Sequence, residues 1–474
     1  VNLYLSVILL YAGLLMAVGL WSGRRVAGAR DFFVARRQLG PWRIFATLLA
    51  ANIGAGSTVG AAALGYRDGL SAWWWVGSAG LGSIVLALWV GPRLRRLAAD
   101  LDLHTVGDFL EYRYGRGVRA TIGVLLWVGT LAILAGQLIA MGFVLGAVSG
   151  LDRWVGSLIG GIVVTVYFTA GGLLTSVMVN TVQLVVLLLG FVIVSPLILG
   201  SAGGLSQILH DTRDIPGYWN LWQGGGSGWF YVIMLGPAFI VSPGILQRVY
   251  AARDDRAVQW GVGLNGIALL LFAAAPVLLG MAARTVIPDL PGNALDFALP
   301  TLLLETLPPL LAAVGLAAIF SAEISSADAI LFMLATSLSR DLYARFINPE
   351  ARDTQVLAVA RWAAVIGGAS SVALALALHS IVEALTVFYT LLSVSLFVPV
   401  IVGLYIRRIR SLEAVAAIAT GVSVVAVIEL TRWSSEKLFL SPALLGLGAA
   451  LAAMLTVMAW RGYSATSSTT PIDE

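Results

Sequence analysis

No charged side chain occurs between Trp154 and Leu209. A run of that length cannot coat a water-soluble domain, and it exceeds the ~20 apolar residues that cross a hydrocarbon core about 30 Å thick. The rest of the 474-residue chain follows the same pattern. Hydrophobic residues make up 59% and charged residues 11%, against about 25% charged in soluble domains. Mean hydropathy is +0.91. These observations define an all-α polytopic membrane protein.

Thirteen transmembrane helices are expected, roughly at 3–21, 44–65, 70–91, 120–148, 154–170, 172–199, 229–247, 258–282, 308–338, 358–378, 382–405, 412–430 and 440–460. The first is expected to be a membrane span rather than a cleaved signal peptide, since no basic residue precedes its apolar run and "SGRRVAGAR" follows it directly. Basic residues concentrate in cytoplasmic loops. Alternating from an external N-terminus leaves all but six of the 29 Lys and Arg residues inside; the six are Arg67, Arg153, Arg213, Arg284, Arg432 and Lys437. The chain is therefore expected to be multi-pass in the cell membrane, with its N-terminus external and a polar cytoplasmic tail at 463–474. Placing the net charge of +4 in these short loops argues against a nucleic-acid partner, and zero cysteines exclude disulfides and thiolate metal sites.

Two spans carry interruptions. "NIGAGS" (52–57) puts two glycines and two polar residues at mid-membrane, and Gly236-Pro237 falls inside "YVIMLGPAFIVSPG". Glycine weakens a helix, and proline removes a donor and clashes with the preceding turn. The two segments open spans two and seven, five helices apart, as the first helices of two five-helix repeats would. Paired interruptions of this kind point to the binding site of a transporter. One transmembrane domain, 1–474, is expected, with a repeated core over 44–405 whose halves cover about 44–200 and 229–405.

"FSAEISSADAILF" (320–332) places two carboxylates and three hydroxyls inside an apolar span. At 100° per residue, Ser321, Ser325 and Asp328 share one face, Ser326 flanks it, and Glu323 points about 140° away from Asp328. A carboxylate at the bilayer centre costs ~2.5–3.5 kcal/mol on insertion scales and needs a partner, an ion or a water-filled cavity. Hydroxyls and an acid beside free backbone carbonyls suit a hard cation with oxygen ligands. Sodium is one candidate, and a proton on Asp328 is the other.

"ISSADAILFMLATSLSRDLY" (324–343) resembles the eighth core helix of the sodium:solute symporter family. "DFFVARRQLGPW" (31–42), "AANIGAGSTVG" (50–60), "HTVGDFLEYRYG" (104–115), "SPGILQRVYAARD" (242–254) and "LLSVSLFVPVIVGLY" (391–405) are similar to further family marks in the family's order. The resemblance implies a LeuT-like five-plus-five inverted repeat, here with one extra helix before it and two after it. It also implies a sodium site made by the carbonyls of Ala50, Ile53 and Ala322 and the hydroxyls of Ser325 and Ser326. Two positions depart from the pattern. Asn180 stands where many members carry Asp, and Ser57 stands where sugar carriers have Gln. A second cation or proton site would then rest on Asp328 with Asn180 as a neutral partner.

Substrate candidates around the broken helix are Asn52, Gly54, Gly56, Ser57, Trp74, Gln137, Phe388 and Tyr389. Free N–H groups at Gly54, Ala55 and Gly56 would favour an anion. The expected function is sodium-coupled symport, by alternating access, of a small carboxylate or amino-acid-like solute, with the lipid bilayer as solvent and no partner chain required. Proton-coupled symport through Asp328, sodium-coupled sugar or polyol transport, and a membrane sensor on the same fold are the alternatives. An enzyme is not expected: His104, His210 and His379 are scattered at span edges, and no nucleophile–base or metal constellation is visible.

Overall fold

The structure is a computed structural model that describes residues 2–23, 39–222, 228–406, 409–431 and 441–467. Regular structure among them is helical, apart from one isolated bridge between Leu39 and Ala252. The elements used below are α1 (Leu3–Gly23), α2 (Pro41–Asn52), α3 (Val59–Asp68), α4 (Trp73–Val85), α5 (Val106–Tyr114), α6 (Arg116–Ser149), α7 (Arg153–Ser201), α8 (Gly228–Val241), α9 (Pro243–Tyr250), α10 (Asp255–Phe272), α11 (Pro309–Thr336), α12 (Asp353–Ala377), α13 (Ile381–Leu392), α14 (Ser411–Thr431) and α15 (Pro442–Ser467).

Ten helices among the described residues are long and apolar enough to cross a membrane, and Leu3–Ala17 and Arg153–Val166 are shorter apolar helices. The boundary expected near residue 171 is not a loop, because helical residues continue from Arg153 to Ser201. No proline lies near that position. A straight helix of 49 residues would be about 74 Å long, more than twice the hydrocarbon thickness. Its two apolar stretches pack separately. Gly161 lies against Val372 of α12, and Gly190 lies against Ala318 of α11.

The first expected interruption is where the sequence places it. Helix α2 ends at Asn52, a single 3₁₀ turn covers Ala55–Ser57, and α3 begins at Val59. The second lies five residues beyond the expected pair. Helix α8 runs through Gly236-Pro237 to Val241, and the break falls at Ser242, whose φ −54° and ψ 122° precede Pro243 at the start of α9. A residue before proline is driven out of the helical region, which ends α8 here. At Pro237 the helix continues, and the Ser393 hydroxyl donates to the nearby Met234 carbonyl (2.6 Å).

The packing of these helices is reciprocal: α2 lies on α10, and α8 lies on α4. Helix α11 is the central post. It packs on α1, α6, α7 and α12, and it is buried continuously from Gly315 to Phe332. Where it continues as Ser337–Ile347, the buried Arg119 of α6 donates to Asp341 (2.7 Å) and to Glu111 of α5 (2.8 Å), and Thr105 donates to Asp341 (2.8 Å). Arg119 is compensated on several sides, as a buried charge must be.

Candidate functional site

The broken α2 and the middle of α11 meet edge to edge. The Ser325 hydroxyl donates to the Ala50 carbonyl (2.8 Å) and to the Ala322 carbonyl (3.0 Å). The Ser326 hydroxyl donates to the carbonyl of Ala51 (3.0 Å). Ile53 is buried at the end of α2, in an extended conformation (φ −93°, ψ 99°) that turns its peptide out of the helical direction. Four of the five residues implied as sodium ligands therefore stand at this one seam, and Ile53 caps it. A serine hydroxyl has two lone pairs besides its one donor, so both side chains can turn oxygen toward a cation. The backbone carbonyls already present theirs.

The two glycines of the break are needed for close approach. A Cβ at Gly54 would collide with the side chains of Ser326 and Gln137. A Cβ at Gly56 would collide with Leu385 of α13, which is seated over the break.

The N–H groups expected to be free at the break are not all free. Gly54 donates to the Ser57 hydroxyl (2.9 Å), and Ala55 donates to the Gln137 side-chain carbonyl (2.9 Å). An unpaired N–H inside a membrane protein costs several kcal/mol, and side chains within reach close that gap. Ser57 and Gln137 thus hold the interruption in shape, and neither of these two donors is open to an anion.

Beside the seam lies a cavity. Asn52, Gly54, Gly56, Ser57 and Gln137 line it, as do Phe388 and Tyr389. Trp74 does not. It packs on Trp222 at 4.3 Å between ring centroids, and Trp75 takes the lining position, donating from Nε1 to the Gly56 carbonyl (2.8 Å). The Asn52 amide donates to Asn265 (3.3 Å), which in turn donates to Ser83 (3.3 Å).

The remaining polar residues of α11 lie elsewhere. Ser321 is hydrogen-bonded to the Tyr11 hydroxyl of α1. Glu323, expected to point away from Asp328, is fully buried, and neither carboxylate oxygen has a hydrogen-bond partner among the described residues. Asp328 and Asn180 are both buried, on the mutually packed α11 and α7. Arg248 of α9, which falls one residue past the expected end of its span, lines the cavity and interacts electrostatically with Asp328. The pair Ser242-Pro243, a frequent helix start, is the signal that could have placed a new helix there.

Two interrupted helices flanking a cavity, with hydroxyl and carbonyl oxygens at their seam, define a LeuT-like fold. The sequence model of the sodium:solute symporter family matches residues 32–421, and the chain belongs to that family. It is 28% identical over 416 residues to the sodium/pantothenate symporter of Escherichia coli (strain K12), covering 82% of each chain. It is 26% identical over 408 residues to the sodium/glucose cotransporter of Vibrio parahaemolyticus, covering 76% of this chain and 72% of the other. The solved substrate-bound outward-open state of a Na+-coupled sialic acid symporter superposes with a TM-score of 0.79 at 18% identity, over 96% of this chain and 98% of that one. At that identity the likeness speaks to the fold alone. The family and these relatives are transporters, not enzymes, and they support sodium-coupled symport through a multi-pass membrane protein.

Proposed function

We propose that the protein imports a small organic solute across the cell membrane together with sodium, by alternating access. The observation that carries this reading is the approach of the Ser325 and Ser326 hydroxyls to the Ala50 and Ala51 carbonyls at the end of a broken helix. Sodium is bound there by the carbonyls of Ala50, Ile53 and Ala322 and the two hydroxyls, and the solute occupies the adjoining cavity. Thirteen crossings, with the N-terminus external and the C-terminal tail inside, complete the topology. Asp328, with Asn180 as its neutral partner, is the candidate for a second cation or a proton; the positive charge of Arg248 competes with either.

The test is a solute screen in proteoliposomes with and without an inward sodium gradient. Uptake that needs the gradient supports the reading. Solute uptake that is indifferent to sodium and follows a pH gradient supports the proton alternative, and gradient-driven uptake confined to sugars or polyols supports the other.

A further inference from the structure

Helix α1 precedes the stretch matched by the family model, which begins at residue 32. It packs on α7 and on the central post α11. Ile8, Ala12 and Leu15 are buried, at the spacing of one helical face. Tyr11 falls within that stripe. Between Val7 and Leu20 it is the one residue with a hydroxyl, amide or charged side chain. Its hydroxyl meets that of Ser321, which is fully buried in the middle of α11.

A hydroxyl in a membrane helix has a partner close at hand, the carbonyl of the preceding turn. Thr336, further along α11, donates to Phe332 in this way (2.8 Å). Ser321 meets another helix instead. So does Ser325 one turn on, which donates to Ala50 of α2 (2.8 Å). The turn from Ser321 to Ser325 is thus tied at its start to α1 and at its end to α2. It carries the Ala322 carbonyl and the Ser325 hydroxyl of the proposed cation site, and Ser326 follows directly. Neither Tyr11 nor Ser321 is among the five proposed ligands. What the pair fixes is the height and rotation of the turn that presents them.

We propose that Tyr11 is a positioning residue for sodium: through Ser321 it holds this turn of α11 in register with the broken helix α2. The cation then meets oxygens already in place, and a site with pre-placed ligands binds more tightly than one that must order them. Helix α1 raises sodium affinity from outside the ligand shell, as groups behind metal ligands do elsewhere. The inference rests on the sodium site proposed above and adds a helix that the family model does not include.

The experiment measures thermal protection of the purified full-length protein by sodium, with potassium replacing it at constant ionic strength. Tyr11→Phe and Ser321→Ala should each raise the half-saturating sodium concentration by about 3- to 10-fold, the range for one neutral hydrogen bond. The double variant should match either single one, because both delete the same bond. Ser321→Thr keeps the hydroxyl and should stay near wild type. The unfolding temperature without sodium separates positioning from simple attachment. A lowered temperature with the half-saturating concentration unchanged in both single variants would make the bond a mere tether and overturn the proposal. Additive shifts in the double variant would overturn it as well. If Tyr11→Phe does not fold, Ser321→Ala against Ser321→Thr decides, and equal half-saturation in those two counts against it. A shift in Ser325→Ala without one in Tyr11→Phe or Ser321→Ala would sink this inference alone. Wild-type protein that sodium does not protect would sink the sodium site itself.

Discussion

The hydroxyl of Ser325 lies 2.8 Å from the carbonyl oxygen of Ala50, a residue 275 positions away in the chain. The bond joins the central post α11 to the broken helix α2. Between membrane helices such a hydrogen bond contributes ~0.6 kcal/mol on average. Ion coordination would draw on the same oxygen more strongly, through its lone pairs. A cation entering the seam would replace the hydroxyl–carbonyl bonds with ion–oxygen contacts, linking its arrival to the spacing of α2 and α11.

Ser57→Ala and Gln137→Leu should each damage the break without touching the proposed sodium ligands. Each leaves a buried N–H, of Gly54 or Ala55 respectively, without its partner. The expected cost is ~1–3 kcal/mol per group. Thermal unfolding in detergent checks this, with Ser57→Thr and Gln137→Glu as variants that keep an acceptor oxygen. Equal stability of Ser57→Ala and wild type would mean that water or another group takes over.

Gly56→Leu should abolish uptake. The cause is the seat of Leu385, into which any side chain at position 56 would project, rather than access of a solute to the main chain. Leu385→Ala should then partly restore uptake by Gly56→Ala. Normal uptake by Gly56→Leu would show that α13 does not close on the break.

Asp296 predicts a pH effect outside the membrane spans. Its carboxylate accepts from the Ile381 N–H (3.0 Å) at the first turn of α13. Burial pushes its pKa up from 3.8 to about 6, against the opposing pull of that N–H and of Arg153. The native state thus holds the proton more tightly than the unfolded chain. Its stabilising contribution is complete below pH ~4 and is lost as pH rises through about 6, by on the order of 2–3 kcal/mol in all. Asp296→Asn, permanently neutral, should lack this slope. Parallel stability curves for the two proteins between pH 4 and 7 would contradict it.

The absence of cysteine makes orientation directly measurable. Single cysteines introduced at Arg67 and at Asp100 should react with impermeant maleimide from opposite sides, with Arg67→Cys labelled in intact cells and Asp100→Cys only after permeabilisation. A cysteine in the C-terminal tail labelled in intact cells would overturn the thirteen-span threading.

The membrane class, the first break and the seam were legible because each has a local signature: charge-free runs, glycines among polar residues, and serines at helical spacing in an apolar span. The second break was misplaced because two prolines compete within seven residues. The sequence alone does not reveal that Ser393 supports the helix around Pro237 while Ser242 turns out of helical geometry before Pro243. Choosing Trp74 over Trp75 failed for a related reason, since which indole faces inward depends on the rotation of α4 against the break. Arg248 was missed because hydropathy ends the span at residue 247, and only the fold carries α9 back beneath the cavity.

Sodium dependence of uptake, measured as the half-saturating sodium concentration in wild type, Ser325→Ala and Ser326→Ala, tests the central claim most directly. Each substitution deletes one oxygen at the seam with little change in volume. The account predicts a rise of roughly 10- to 100-fold in that concentration, with residual uptake recovered at high sodium. An unchanged half-saturating concentration in both variants would contradict it, leaving the two hydroxyls as bonds between helices and the ion elsewhere.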